Sequence, residues 1–377
     1  METTLILLAA GSSSRFSKTV KKQWLPLKEG PLWRVVAQRL ETTGLFEKVI
    51  VVASHADLLL MQRISPYTIV CGGAERQESL QKALEYVQTP WVMTTDAARP
   101  CVPSDLLKRL FDAAEGYDCV IPTLRVADTI TYHGTTIDRN CVRIIQTPQL
   151  SRTTLLRQAL KTDKLFTDDS SAIKEIGGRI KEVEGSIEAH KLTTIEDLRR
   201  IPCLMPPTGD FFVGTGFDVH PFEEGKAMVL GGVTIDAPYG FKAHSDGDVA
   251  LHALIDALLG ACGIGDIGEL FPDTERAYAG IDSSLLLQEV YGRIVSIGYI
   301  ITHVDITIIA EAPRINPFKD RMRMRLAELL KLDPMRVNVK ATTTEKLGFV
   351  GRKEGVAVMA TATVRYWNWI SDENFDR

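Results

Sequence analysis

Nine residues near the middle of the chain, Ile201-Pro202-Cys203-Leu204-Met205-Pro206-Pro207-Thr208-Gly209, contain three prolines and a glycine. Proline fixes φ and carries no amide hydrogen, so neither a helix nor a central strand runs through such a stretch. The segment ends the helical pattern of Ile195–Ile201 and is the natural place for a domain junction. It divides 377 residues, too many for one ordinary core, into parts at 1–207 and 208–377. No internal repeat relates the two parts.

Hydrophobic residues at 45% and charged residues at 24% give the balance of a folded globular protein. A net charge of −4 supports neither nucleic-acid nor membrane-surface binding, so any anion must be held by locally placed basic groups. Six cysteines at 71, 101, 119, 141, 203 and 262, with no C-x-x-C pair, predict reduced thiols rather than a disulfide framework or a cysteine zinc site. The opening Met1-Glu2-Thr3-Thr4 lacks the basic start of a signal peptide, and no apolar run reaches membrane-spanning length. A cytoplasmic location is the expectation.

In the first part, Leu5–Ala9, Lys48–Ala53, Thr68–Cys71, Trp91–Thr95 and Cys119–Pro122 read as buried strands. Between them, Leu32–Leu40, Gln77–Val87 and Asp105–Ala114 carry apolar residues at helical spacing. Strand and helix in alternation predict an α/β fold with a mostly parallel sheet covered on both faces. Ligands on such sheets sit at the carboxyl ends of the strands.

Three polar loops follow strands there. Leu8-Ala9-Ala10-Gly11-Ser12-Ser13-Ser14-Arg15, with Lys21 and Lys22 behind it, can turn backbone amides toward a phosphate while the basic groups neutralise it. The spacing fits neither the P-loop nor the dinucleotide fingerprint. Gly72-Gly73-Ala74-Glu75-Arg76 is a glycine-led turn into a helix, and Asp96-Ala97-Ala98-Arg99-Pro100 puts an acid at a strand's carboxyl end, where a metal–triphosphate would lie. Each alone also suits a helix cap or a surface ion pair.

In this order the motifs resemble the 2-C-methyl-D-erythritol 4-phosphate cytidylyltransferase family over most of residues 1–201. The resemblance extends through Lys22-Gln23-Trp24-Leu25, Asp128-Thr129, Thr147-Pro148-Gln149, Thr167-Asp168 and the region of Lys191. It implies a Rossmann-like nucleotidyltransferase sheet and attack of a substrate phosphate on the α-phosphorus of CTP, with pyrophosphate leaving. Arg15 and Lys22 would stabilise the transition state, while Arg152 and Lys191 would hold methylerythritol phosphate in line. Ala9, Ala10, Gly11, Gly73, Arg76 and Ser79 would contact the nucleotide, with Arg99 and Thr129 among the substrate contacts. Asp96 would meet the ribose or a Mg²⁺ ion. Leu8 and Lys21 stand where the family often has proline, and which of Lys21 and Lys22 reaches the phosphates stays open.

The second part opens on Gly216-Phe217-Asp218-Val219-His220, where an extended strand points residues 218 and 220 to one side. His244-Ser245-Asp246-Gly247-Asp248 then leads into a helix with apolar residues at 251, 254, 255, 258 and 259, and with Asp248, His252 and Asp256 four apart on another face. One carboxylate and two imidazoles, Asp218, His220 and His252, leave an open position on a tetrahedral ion, as catalytic zinc requires. Asp256 is a candidate to hold the far nitrogen of an imidazole.

From about Phe211 to Trp367 the chain resembles the 2-C-methyl-D-erythritol 2,4-cyclodiphosphate synthases, through G-F-D-V-H, A-H-S-D-G-D-V-A-L-H-A-L, G-D-I-G-x-L-F-P-D-T and N-V-K-A-T-T-T-E-K-L-G-F. The resemblance implies an α+β domain, with helices on a mixed sheet, that closes a cyclic diphosphate and expels CMP. Zn²⁺ would sit on Asp218, His220 and His252, and Mg²⁺ or Mn²⁺ near Glu345; divalent ions would accompany the phosphates at both sites. His244 and Thr343 would stabilise the transition state. Asp266, Gly268 and Asp273 would hold the methylerythritol part, with Ser245, Ile267 and Phe271 among the substrate contacts. Ala310, Pro313 and Arg314 would form the cytosine pocket, where Arg314 replaces the family's usual lysine, and Thr342, Thr344, Glu345, Phe349 and Arg352 would be further substrate contacts. The resemblance further implies a cyclase trimer, or a hexamer where transferase halves pair, and a separate kinase for the step between the two reactions. An alditol-phosphate cytidylyltransferase of the same fold, or one half kept only for assembly or ligand sensing, are the competing readings.

Overall fold

The computed structural model describes residues 1–16, 19–272, 274, 278 and 280–372 and divides the chain into two compact units, Met1–Pro206 and a second that starts at Pro207. Among the described residues no helix is long and apolar enough to cross a membrane.

Four runs of apolar residues form the centre of the first unit: β1 (Thr3–Leu8), β2 (Lys48–Ala53), β3 (Thr68–Cys71) and β4 (Trp91–Asp96). They pair in parallel in the order β4-β1-β2-β3. Consecutive residues Leu5, Ile6 and Leu7 are all fully buried, so both faces of the sheet are covered. The helices α1 (Leu32–Glu41), α2 (Arg76–Leu84), α3 (Ser104–Asp112), α4 (Thr153–Ala159) and α5 (Asp169–Glu175) complete the alternation. Because β1 to β4 are adjacent and parallel, the loops after them line one edge of the sheet.

Beyond β4 the order changes. The strands β5 (Cys119–Arg125), β6 (Arg143–Ile145), β7 (Gln149–Arg152) and β8 (Ile180–Glu184) extend the sheet to eight, with β7 antiparallel between β4 and β5, and β6 antiparallel to β5. Only β5 of these carries an apolar run long enough to read from sequence.

The expectation of six reduced thiols is corrected at two positions. Cys101 and Cys203 are bonded, with Cα atoms 5.9 Å apart across 102 residues, while Cys71, Cys119, Cys141 and Cys262 are free. Their meeting is tertiary: Arg39 on α1 donates to Pro100 O at 3.4 Å and Cys203 O at 3.0 Å, drawing the two loops together. Thiol titration of the unreduced, denatured protein is expected to find four groups, rising to six after a dithiol reductant. Cys203→Ser is expected to destabilise the first unit by about 2–4 kcal/mol. Six free thiols without reductant would sink both expectations.

The second unit is a five-stranded mixed sheet of β9 (Phe211–Glu224), β10 (Tyr239–Phe241), β11 (Tyr299–Ile309), β12 (Val337–Thr342) and β13 (Gly355–Tyr366), ordered β10-β9-β13-β11-β12. The helix α6 (Val249–Cys262) lies against β9 and β13, with α7 (Ser283–Ser296) beside it. Gly214 and Gly216 make this approach possible. A Cβ at 214 would fall 2.1 Å from Ala257 O, and one at 216 would fall 2.0 Å from Ala253 O. Asp248 does not share the face of His252. It is fully buried at the helix start and accepts from the amides of Ala250 and Leu251 at 3.1 Å and of Gly231 and Gly232 at 2.8 and 2.6 Å. The sheet face opposite α6 is apolar yet open: Phe211, Val213, Phe217 and Met359 are exposed on it.

Candidate active sites

In the first unit the amide of Ala9 donates to Val52 O at 2.9 Å, carrying β1 one residue further before the Gly11–Ser14 turn. Ala10, Gly11 and Ser12 of that turn face Gly73, Arg76 and Ser79 across a cavity of about 520 Å³, which Lys21, Gln23 and Ser54 also line. A smaller recess next to it brings Ala9 and Lys22 against Ala97 and Ala98. The three loops read as phosphate contacts thus meet at one edge.

The charges there are concentrated. Burial first, then the Lys191 and Arg15 cations, push the Lys22 ammonium down to about 8, against the attraction of Asp96. Lys191 Nζ stands 2.7 Å from the Asp96 carboxylate. Burial opposes ionisation of Asp96, but Lys191, Arg76 and Arg99 together hold it below the usual carboxylate range. Arg76 pairs with buried Asp169 at 2.9 Å, and Arg99 donates to Ala189 O at 2.6 Å. An ionised carboxylate beside phosphate-binding loops suits a divalent ion held jointly with substrate phosphates.

Two expected residues are elsewhere. Arg152 pairs in register with Trp91, at the opposite end of β4 from Asp96; it stacks on the Trp91 ring at 4.8 Å and faces Asp118 at 3.6 Å. At about 3.3 Å per residue it lies roughly 16 Å along the strand from the phosphate loops, so within one chain it does not reach them. Thr129 is exposed and does not line the cavity.

In the second unit, strand alternation points Asp218 and His220 toward α6, and the glycine approach brings His252 to meet them. Asp218 Oδ2 lies 3.2 Å from His220 Nε2 and 3.4 Å from His252 Nδ1, and one donor atom of each residue lies within 4.8 Å of the others. Burial works against ionisation of Asp218, but the adjoining His220 and His252 imidazoles hold it below the carboxylate range. The cluster opens on a cavity of about 340 Å³ lined also by His244, Ser245, Ile267, Gly268 and Phe271.

Both imidazoles turn a lone pair inward, and the surroundings explain why. His220 Nδ1–H donates to Gly247 O at 2.9 Å, leaving Nε2 free. Ser283 Oγ donates to Asp246 at 2.5 Å, so its oxygen faces His252 Nε2 at 3.0 Å as an acceptor, with Ser245 Oγ also beside that nitrogen at 3.1 Å, leaving Nδ1 free. Outer partners of this kind fix ligand orientation and raise basicity. Three inward donors with both outer nitrogens engaged fit a divalent ion. The expected helper, Asp256, instead accepts from the Ile267 amide at 2.8 Å. Ser283→Ala is expected to weaken zinc binding by about 10–100-fold in chelator competition; an unchanged affinity would refute the relay.

The remaining predicted residues gather at a different place. Ala310 N–H donates to Thr342 O at 2.9 Å, and Glu311 accepts from the amides of Thr344 and Lys346 at 3.3 and 2.9 Å, joining the Ala310–Arg314 segment to the threonine loop. Thr343 Oγ1 donates to Glu345 at 3.1 Å, and Arg352 pairs with Glu354 at 2.8 Å. This loop follows β12, three strands from β9, so about 14 Å of sheet separates it from the triad in one chain. Phe349 is exposed beside it. Asp266 caps Glu269 N at 2.9 Å, and Asp273 lies outside the described residues.

Residues 3–205 match the family profile of 2-C-methyl-D-erythritol 4-phosphate cytidylyltransferase (IspD), and residues 211–365 match the YgbB family. A bifunctional enzyme IspD/IspF of Sulfurovum sp. (strain NBC37-1) is 57% identical over 97% of this chain and 98% of its own length. The chain belongs to the bifunctional IspD/IspF family. The same enzyme of Aliarcobacter butzleri is 52% identical over 98% of this chain and 99% of its own. The solved bifunctional IspDF of Campylobacter jejuni superposes with a TM-score of 0.90 at 44% identity, covering 98% of this chain and all of that one. This IspD/IspF chain is therefore an isoprenoid-precursor enzyme of the methylerythritol phosphate pathway, with a cytidylyltransferase domain and a cyclodiphosphate synthase domain that uses a divalent metal. The competing readings, a different polyol phosphate or one non-catalytic half, are set aside.

Several IspD/IspF site residues were not legible in advance. Asp246 reads only as part of the polar turn before α6, and Ser283 carries no signal of its own, since Asp282-Ser283-Ser284 is a common helix start. Gln23 belongs to the Lys22–Leu25 motif but had no role assigned to it, and Asp57, buried beside the phosphate loop, carried no pattern at all.

Proposed function

We propose that residues 1–207 transfer CMP from CTP to 2-C-methyl-D-erythritol 4-phosphate, with Lys22 and Arg15 neutralising the charge that grows on the attacked α-phosphate. Lys191, tethered by Asp96 beside Lys22, orients the incoming phosphate. Ala10, Gly11 and Gly73 line the cavity on the nucleotide side, and Asp96 would hold a Mg²⁺ ion that would neutralise triphosphate charge. The carrying observation is that Lys22 lines the recess beside the phosphate loop while Lys191, held 2.7 Å from Asp96, and Arg15 add positive charge near it. Cations crowded in this way are stabilised by an arriving polyphosphate.

Residues 208–377 close the ring of 2-C-methyl-D-erythritol 2,4-cyclodiphosphate. Asp218, His220 and His252 would hold Zn²⁺, which supplies Lewis acidity to the diphosphate. His244 and Ser245 sit on the cavity wall to orient it, and Ile267, Gly268 and Phe271 enclose the methylerythritol part. Ala310, Pro313 and Arg314 form the cytosine pocket, with Thr342 to Glu345 against the phosphates.

The separation between the triad and the threonine loop supports a site completed by a neighbouring copy. The open apolar face of Phe211, Val213, Phe217 and Met359 supports a cyclic trimer that would bury it. A cytoplasmic location follows from the supply of CTP. A separate kinase acts between the two reactions.

Product analysis with purified enzyme tests the assignment. Pyrophosphate is expected from CTP plus methylerythritol phosphate, and CMP from the phosphorylated cytidine diphosphate compound. Absence of either product with intact, metal-loaded protein would defeat the corresponding half.

A further inference from the structure

Behind the phosphate loop lies a buried carboxylate that the reaction does not use. Asp57, in the turn after β2, is 3% exposed. It accepts from Lys21 Nζ at 2.7 Å and Ser54 Oγ at 2.7 Å, and from Gln23 Nε2 at 3.3 Å. Buried Gln23 passes the contact on: its amide also donates to Gly11 O at 3.2 Å and accepts from Ser13 Oγ at 2.8 Å. Ser13 Oγ in turn accepts from the Lys22 amide at 3.0 Å. One carboxylate therefore ties the loop after β2 to both ends of the Gly11–Ser13 turn and to the backbone of Lys22.

We infer that Lys21 and Asp57 form a strut that positions the Gly11–Ser13 turn and Lys22, and that Lys21 is a positioning residue and not a phosphate ligand. The two adjacent lysines have opposite surroundings. Lys21 has its ammonium committed to an anion that is itself held by two further donors. Lys22 has its ammonium among cations, with room for an anion to arrive. Moving Lys21 onto the triphosphate would strand a buried carboxylate, which costs more than the new contact returns. Gln23 is the coupling piece, because its two polar ends reach Asp57 and the turn at the same time. Loss of the strut leaves the turn free to drift, and misplacement of a positioning group by even 1 Å is enough to slow a reaction severely.

The inference rests on the reading of Gly11–Ser13 and Lys22 as triphosphate contacts, and the full-length enzyme tests it by steady-state pyrophosphate release and CTP titration. Lys21→Met and Asp57→Asn are each expected to raise KM for CTP and lower kcat, with kcat/KM falling about tenfold, mid-range for members of one hydrogen-bonded network. KM for methylerythritol phosphate is expected to stay within about twofold. The double variant is expected to be no worse than either single one, and Lys21→Arg, which keeps the ion pair, is expected to restore activity. The unchanged KM for methylerythritol phosphate, read on the first unit itself, serves as the folding control. If Lys21 instead bound phosphate, Asp57→Asn would release it and leave CTP binding unchanged or tighter, while the double variant would match Lys21→Met. Either an unweakened Asp57→Asn enzyme or strictly multiplicative losses overturns the strut. A wild-type enzyme that formed no pyrophosphate would overturn the site reading itself, a separate failure.

Discussion

Lys22→Ala is expected to cut kcat/KM for pyrophosphate release by about 10²–10³-fold, the usual loss when one donor to a developing oxyanion is removed. CMP release by the second unit should not change. The pH profile gives the sharper test. Lys22 acts as a cation, and its pKa in the free enzyme is pushed down to about 8 by burial and by Lys191 and Arg15. Since kcat/KM reports free-enzyme ionisations, the profile should fall as pH rises through about 8. Lys22→Arg keeps its charge at all these pH values and should remove that limb, whatever it does to the maximum. The same shift acts on stability in the opposite sense. The unfolded chain holds the Lys22 proton up to its ordinary 10.5, whereas the folded chain loses it near 8, so stability should rise with pH across that window. A profile flat from pH 7 to beyond 9 would refute the lowered Lys22 pKa, and an undiminished kcat/KM in Lys22→Ala would remove Lys22 from the chemistry.

Asp218→Ala is expected to abolish CMP release, with a fall of at least about 10³-fold, because Lewis-acid stabilisation of a phosphoryl transition state is worth several kcal/mol. The same loss should follow exhaustive chelation of the unaltered enzyme and be reversed by zinc. Stability adds a readout free of turnover. A zinc concentration 100 times the dissociation constant should stabilise the second unit by about 2.7 kcal/mol in the unaltered protein and by nothing in the variant. Pyrophosphate release should persist in the variant, where the metal requirement of the first unit is untouched. Full CMP release from metal-free protein would refute the assignment of Asp218, His220 and His252.

What the sequence disclosed follows from how local each signal is. The strands Lys48–Ala53 and Thr68–Cys71 were read to the residue, because a parallel strand buried on both faces is a continuous apolar run. By contrast Arg143–Ile145 is exposed throughout and antiparallel, so its pairing with β5 leaves no periodic trace. Asp218 and His220 were legible together because alternation alone puts them on one side of a strand. Asp256 was misjudged for a related reason. Helical spacing placed it near His252, but the amide of Ile267, eleven residues on, claims its carboxylate. The cysteine pair shows the same limit: nothing local to Cys101 or Cys203 announces a partner 102 residues away. Arg152 was assigned by resemblance, and only strand direction reveals that within one chain it lies at the opposite end of β4 from the phosphate loops.

The two glycines under α6 have a bearing on how the metal centre tolerates change. With helix backbone resting on strand backbone at 214 and 216, the spacing between Asp218 and His252 is gauged by main-chain van der Waals radii, the least variable dimension a protein has. Side chains elsewhere in the core could drift through many substitutions without altering that gauge. A single methyl at either glycine would act as a shim, lifting one ligand off its two companions while every ligand remained in the sequence.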